Sequence, residues 1–363
     1  MLELCTGSRL HFGLLELAVD QPHRFGGLGL MIQSPQVHVR VARPGRLELP
    51  HANQREIEQR VQSALEHAQR KLGRALEPTW TVEVVEHPLL HSGLGVGTQL
   101  AAAVSAAAEL AISVKPQGAQ ATSLAHWQPV APASNRCDRK PIRELAGLSG
   151  RGKRSAIGLH GFLYGGLVQD MGYNSHIDPT SQALTTASDE IRVIATRSVT
   201  FPESWPIVLI LGSNGGDMHG ATEESLINAA GATRNRQRET MLALSETCME
   251  AAENSNFNCF VEALEEYMKF AASLFESVQA GRYRDEIIAQ RVETATRVGL
   301  RGVGQSSWGP TVFGFASQAG IADQAASELR SQLSHQAAQV IVTTAADHGA
   351  RWRTTLSGVQ NAG

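Results

Sequence analysis

Three stretches of the chain combine residue types and spacing suited to holding an anion. In residues 91–98 (HSGLGVGT), Gly93, Gly95 and Gly97 alternate with Leu94, Val96 and Thr98, between a strand-like run (TWTVEVVE) and an alanine-rich, helix-like run. The start of a helix leaves backbone N–H groups without intrahelical partners, and glycines let a phosphate approach them. In residues 150–155 (GRGKRS), Arg151, Lys153 and Arg154 flank glycines ahead of Ser155, making a compact clamp for negative charge. In residues 299–315 (GLRGVGQSSWGPTVFGF), Gln305, Ser306 and Ser307 supply hydrogen-bonding groups, and Trp308 an apolar wall for an aromatic ligand. The chemistry implied is capture of a phosphorylated substrate. The first loop lacks the Gly-Lys-Ser/Thr of a Walker motif and is not GxGxxG, so a plain structural turn stays open for it.

Further polar residues stand in apolar surroundings. Ser8, Arg9 and His11 either alternate toward solvent or line a pocket, where Arg9 would pair with an anion. Arg24 begins a glycine-rich segment (RFGGLGL) that is either a hairpin connection or a place where backbone meets ligand. His160 and Asp170, in IGLHGFLYGGLVQDM, are candidates for acid, base or ligand roles, although a histidine in an apolar run also serves as a satisfied core residue. His87 and His91 have the spacing of a helical metal pair, but Pro88 between them disfavours a helix. His91 is instead a possible donor to an anion bound at the adjacent loop.

Positioning these groups requires a mixed framework. Residues 2–17 read as two strand halves around residues 7–9, and residues 36–42 and 80–86 as further strands. Residues 54–72 form the clearest helix, with Ile57, Val61, Ala64, Leu65, Ala68 and Leu72 on one face and Gly73 at its stop. Its polar face reads as solvated, with no part in chemistry. Residues 157–171 read as a β-hairpin turning at 164–166. Strands are expected at 191–195 and 207–211, mostly helices through about residue 296, then strand 311–316, helix 319–333 and strand 340–343. Residues after His348 read as a frayed tail. Residues 113–141 contain four prolines and read as an insertion. The expected domains are 1–198, carrying that insertion, and 199–363.

A net charge of −3 over 363 residues exerts no global pull on nucleic acid. Residues 136–154 run against it, with seven basic side chains and two acidic ones. The four cysteines are too scattered for a zinc cluster or a disulfide framework. No run reaches the roughly 18 apolar residues of a membrane span, and the N-terminus lacks signal-peptide character, so a cytoplasmic protein is expected.

Taken together, TGSRLHFGLLEL, RFGGLGL, GLGVGTQLA, SGRGKRSAIGLHGFLYGG and GVGQSSWGP resemble the GHMP small-molecule kinase superfamily. Within it they are most similar to the β-ribofuranosylaminobenzene 5'-phosphate synthases. The resemblance spans nearly the whole chain except 113–141 and the tail. It implies a two-domain α+β GHMP kinase-like fold and a decarboxylating phosphoribosyl transferase of tetrahydromethanopterin biosynthesis. Phosphoribosyl pyrophosphate would react with 4-aminobenzoate, or with 4-hydroxybenzoate, releasing CO2 and pyrophosphate. Mg²⁺ would enter with the pyrophosphate, Asp170 being a candidate contact, and no organic cofactor is implied. Arg9 or Arg24 would orient the benzoate carboxylate, and a homodimer is implied.

The alternative is an ATP-dependent kinase of the same superfamily. Such kinases follow GLG with serines and carry a later catalytic Asp. Here Val96 and Gly97 follow Gly95, only Thr98 offers a hydroxyl, and residues 155–158 contain no Asp. A non-catalytic nucleotide-binding regulator, with 113–141 as its docking arm, is the third reading.

Overall fold

The computed structural model describes residues 1–17, 23–42, 54–77, 80–113, 126–131, 139–152, 155–174, 196–212, 225, 227, 229–230, 236–275 and 281–355. Two sheets organise the chain. The larger has the order β4-β12-β1-β2-β5-β7, with β3 and β6 also pairing β2. Its strands are β1 (Leu2–Glu16), β2 (His23–Ala42), β3 (Thr81–Glu86), β4 (Gln128–Pro129), β5 (Leu167–Asp170), β6 (Tyr173–Asn174), β7 (Thr196–Val199) and β12 (Arg351–Thr354). The smaller runs β11-β8-β10-β9, from β8 (Ile207–Gly212), β9 (Arg301–Gln305), β10 (Val312–Phe315) and β11 (Ala338–Thr343).

Helices α1 (Gln54–Leu72), α2 (Val96–Ser113), α3 (Arg139–Ser149) and α4 (Ile157–Tyr164) accompany the first sheet. They are followed by α5 (Arg238–Glu253), α6 (Phe257–Ser273), α7 (Glu286–Arg297) and α8 (Ala319–Gln332). Helix α2 is apolar and long enough to cross a membrane by length and composition alone, but most of it, from Gln99 to Ala108, is buried inside the protein. Helix α6 reaches both sheets: Tyr267 Oη donates to the Gly13 carbonyl of β1 at 3.0 Å, and Glu265 Oε1 accepts from the Gly302 amide of β9 at 2.8 Å.

Several expectations are corrected. Residues 2–16 form one strand, not two halves, because register shifts at Thr6/Ser8 and His11/Gly13 absorb the irregularity while pairing with β2 continues. The glycine-rich RFGGLGL segment is strand interior. A side chain on Gly27 would stand 2.4 Å from the Gly13 carbonyl oxygen, so close backbone approach demands that glycine. The expected hairpin at 157–171 is helix α4 followed by strand β5. All eight α4 residues are buried, and a continuous apolar run has no period to separate helix from strand. The described part of the expected tail, residues 349–355, is structured: β12 pairs β1 with Leu2 opposite Thr354, and Arg353 meets the buried Glu3 carboxylate at 2.6 Å. Residues 356–363 lie outside the described residues. The expected strand 191–195 and most of insertion 113–141 lie outside the described residues.

Candidate functional site

The glycine loop enters α2 as a tight hook. Gly93 and Gly95 have φ of +86° and +68°, a region that side chains disfavour. The Gly95 carbonyl takes the Thr98 and Gln99 amides at 3.0 and 3.1 Å, and the Leu94 carbonyl takes the Arg9 amide at 2.9 Å. That last bond ties the loop to β1. A Cβ on Gly95 would lie 3.1–3.3 Å from Arg9 side-chain atoms, so the guanidinium packs across the loop.

The hook opens on a cavity of about 590 Å³, within the range of small-molecule sites. Among the described residues five arginines line it (Arg9, Arg60, Arg151, Arg282 and Arg284), with His11, His91, Thr98, Ser155, Gln305 and Ser307. Among the described lining residues there is no Asp or Glu. The same cavity is lined by the apolar side chains of Phe12, Leu14, Met268, Ala271, Ala272, Phe275 and Trp308. Trp308 packs edge-on against Phe275 at 4.7 Å between ring centroids.

Arg60 stands on α1 and is aimed by Glu56. The Glu56 Oε1 atom accepts from Arg60 Nη2 at 2.8 Å and lies 3.0 Å from His91 Nε2. Burial pushes the Glu56 carboxyl up, but hydrogen bonds from Arg60 and His91 outweigh it and hold the group below its usual range. A side chain on Gly97 would meet Arg60 Nη1 at 3.2 Å, so Arg60 overlies the first turn of α2. Burial, then the neighbouring Arg60 charge, lowers the pKa of Arg151. Two cations held this close with little solvent favour an anion between them. An adjoining recess of about 430 Å³ shares Arg60, Gly150 and Arg151 with the main cavity.

His11 is held neutral. Burial, reinforced by the Arg9 charge, depresses its pKa well below that of free histidine. Its Nδ1 accepts from the Gly13 amide at 3.2 Å, which leaves the proton on Nε2.

The structure thus brings Arg9, His91, Thr98, Arg151, Ser155, Gln305, Ser307 and Trp308 to one cavity. Gly93, Leu94, Gly95, Val96 and Gly97 form the hook beneath it, and Ser306 fastens the hook by donating to the Gly93 carbonyl at 2.8 Å. Lys153 and Arg154 lie outside the described residues.

Four candidates stand apart from the lining. Ser8 is buried and donates to the Pro35 carbonyl at 2.6 Å. Arg24 turns back on its own segment, with Nε donating to the Leu17 carbonyl at 3.0 Å and Cζ 4.5 Å from the Phe25 ring centroid. His160 is fully buried between Thr196 and Ser198 hydroxyls at 2.9 and 3.1 Å. Asp170 is buried at the start of α4, accepting from the Ala156 amide at 2.7 Å and the Gly172 amide at 3.0 Å. Burial raises its pKa to about 6, against the hydrogen bonds from Gly172, Ala156 and Ser155. Its position makes it the N-terminal anchor of α4 and a support for Ser155.

The sequence reading missed Arg60, Arg282 and Arg284. Arg60 was assigned to the solvated face of α1, and that assignment is corrected. The described residues contain no group of three His, Cys, Asp or Glu side chains that could hold a metal ion. With no carboxylate in the described lining either, the residues present do not fit a resident Mg²⁺.

No protein-family model matches the chain. It is similar to two curated proteins named beta-ribofuranosylphenol 5'-phosphate synthase. To the one from Methanothermobacter thermautotrophicus it is 24% identical over 316 residues, covering 85% of this chain and 86% of the relative. To the one from Archaeoglobus fulgidus it is 26% identical over 357 residues, covering 96% and 98%. Among solved structures, the mevalonate kinase of Methanococcus jannaschii matches with a TM-score of 0.59 at 12% identity, covering 95% of this chain and 98% of that one. The homoserine kinase of Cytophaga hutchinsonii matches with 0.57 at 13%, covering 97% and 96%. The fold is that of the GHMP kinases, in the α+β class, and the curated relatives are enzymes.

Proposed function

We propose that the protein is a decarboxylating phosphoribosyl transferase that joins phosphoribosyl pyrophosphate to a para-substituted benzoate. The observation that carries this reading is the lining itself: among the described residues, five arginines share one cavity with aromatic and aliphatic side chains. A substrate with a phosphate and a diphosphate supplies enough negative charge to balance those cations. A flat arene matches the apolar part of the lining. Of the two acceptors expected from the sequence, 4-hydroxybenzoate is favoured, because the curated relatives are named for a ribofuranosylphenol phosphate.

The reaction asks the protein mainly for positioning and charge. As the bond between ribose C1 and the diphosphate oxygen breaks, the electron pair leaves with pyrophosphate. Arg60, Arg151 and the α2 N-terminus would stabilise that growing charge. The ring carbon bearing the carboxylate attacks C1, driven by electron release from the para oxygen. The carbon–carboxylate bond then breaks, CO2 leaves, and its electron pair restores the aromatic ring. Neutral His11 adds no positive charge near the cationic sugar carbon. Mg²⁺ belongs to this reading as a companion of the pyrophosphate, carried in by the substrate.

The test is turnover of carboxyl-labelled 4-hydroxybenzoate with phosphoribosyl pyrophosphate in the absence of ATP. Labelled CO2 and pyrophosphate in equal amounts are expected. Failure to release CO2, together with ATP hydrolysis dependent on an alcohol acceptor, would replace this reading with a small-molecule kinase. Placement in tetrahydromethanopterin biosynthesis, a cytoplasmic location and a homodimer are parts of the same proposal.

A further inference from the structure

The five arginines do not stand in equivalent surroundings. Arg9, Arg60 and Arg151 gather around the glycine hook and the start of α2. Arg284 is instead tied to the loop that carries Trp308. Its backbone amide donates to Gln305 Oε1 at 3.1 Å, and Gln305 Nε2 donates to the Gly309 carbonyl at 3.0 Å. One glutamine therefore bolts the Arg284 segment to the loop that carries Trp308.

The guanidinium is fixed as well. Arg284 Nε and Nη2 both meet Asp285 Oδ2 at 2.8 Å, while Asp285 Oδ1 caps α7 by accepting the Ile288 amide at 2.9 Å. Burial pushes the Asp285 carboxyl up, but the Ile288 amide and Arg284 outweigh it and hold it ionised below its usual range. The remaining nitrogen, Nη1, is buried and has no hydrogen-bond partner among the described residues. A buried N–H left unmatched is costly, and a charged one more so. With Nε committed to Asp285, the unpartnered edge of the fork runs through the buried Nη1 and the second hydrogen of Nη2. That edge matches a planar carboxylate in two parallel hydrogen bonds.

We infer that Arg284 is the recognition residue for the carboxylate of an aromatic acid whose ring lies against Trp308 and Phe275, separate from the phosphate-binding arginines at the hook. The inference rests on the function proposed above and replaces the expectation that Arg9 or Arg24 takes this role. The contact belongs to the bound acid and is given up when the carboxylate leaves as neutral CO2.

Steady-state kinetics of Arg284→Gln, with Arg60→Ala as the reference, tests it. Arg284→Gln should raise KM for 4-hydroxybenzoate at least tenfold and leave KM for phosphoribosyl pyrophosphate within twofold. Arg60→Ala should do the reverse. Phenol, which has the ring and hydroxyl but no carboxylate, should inhibit wild type and Arg284→Gln with the same constant. A merely structural role would weaken both aromatics together. Arg284→Lys, which keeps the charge but loses the fork, should fall between wild type and Arg284→Gln. Labelled CO2 from wild type with equal losses for phenol and 4-hydroxybenzoate, or with a raised KM for phosphoribosyl pyrophosphate alone, overturns the assignment and leaves the function standing. No labelled CO2 from wild type overturns both.

Discussion

Ser306 donates to the Gly93 carbonyl at 2.8 Å, across 213 positions of sequence, and its hydroxyl oxygen accepts the His11 amide at 3.1 Å. One buried hydroxyl therefore joins the glycine hook, β1 and the loop carrying Trp308. The backbones are in contact here: a side chain on Gly93 would stand 2.3 Å from the Ser306 carbonyl oxygen. Ser306→Ala removes a donor and an acceptor together, stranding a buried amide. The expected loss is about 1–3 kcal/mol of unfolding free energy, read from urea denaturation. KM for phosphoribosyl pyrophosphate should rise with it, since the hook loses its fastening.

The hook and the Trp308 loop were legible in sequence because each is contiguous, with glycines set by backbone geometry rather than by distant partners. Arg60 was not. On α1 it falls on the polar face, and only tertiary packing of α1 beside α2 shows that this part of the face is covered. Arg284 lacked a local signal for the same reason: its meaning comes from Gln305 and Asp285 together. The α4 segment failed differently, since burial on every side erased the period that distinguishes helix from strand. The β12 segment was missed because a four-residue strand held between β4 and β1 is specified by its partners, with Glu3 awaiting Arg353.

Arg151→Ala should weaken binding of phosphoribosyl pyrophosphate by roughly 10–150-fold, the equivalent of about 1.5–3 kcal/mol for a charge-assisted hydrogen bond. Glu56→Gln should have a smaller effect in the same direction, because it frees Arg60 without removing its charge. KM values for wild type and both variants, measured at two salt concentrations, check this. A wild-type KM that rises with salt, and less steeply so in Arg151→Ala, is the expected pattern.

His160 was a candidate for chemistry and is placed as a core residue between two hydroxyls. His160→Ala should cost about 2–4 kcal/mol of stability through a cavity and two unmatched hydroxyls. Below its melting temperature, kcat should stay within about threefold of wild type, as for a residue outside the reacting centre. A stable variant with a hundredfold loss in kcat would return His160 to the mechanism.

Asp170 gives a pH signature with a definite sign. Its pKa is raised from 3.8 to about 6 by burial, so between those values the folded protein binds more protons than the unfolded chain. The resulting stabilisation is fully present below pH 3.8 and is lost as pH rises through about 6. A shift of that size corresponds to about 3 kcal/mol. Asp170→Asn cannot titrate, and its amide can accept only one of the two backbone N–H groups that the carboxylate accepts. Plotted against pH, the stability of wild type minus that of Asp170→Asn should therefore fall by about 2–2.5 kcal/mol from pH 4 to pH 7. Denaturant midpoints at half-unit pH intervals measure it. A difference that rises over that interval would mean that the helix terminus and the amides outweigh burial, holding this carboxylate ionised even in acid.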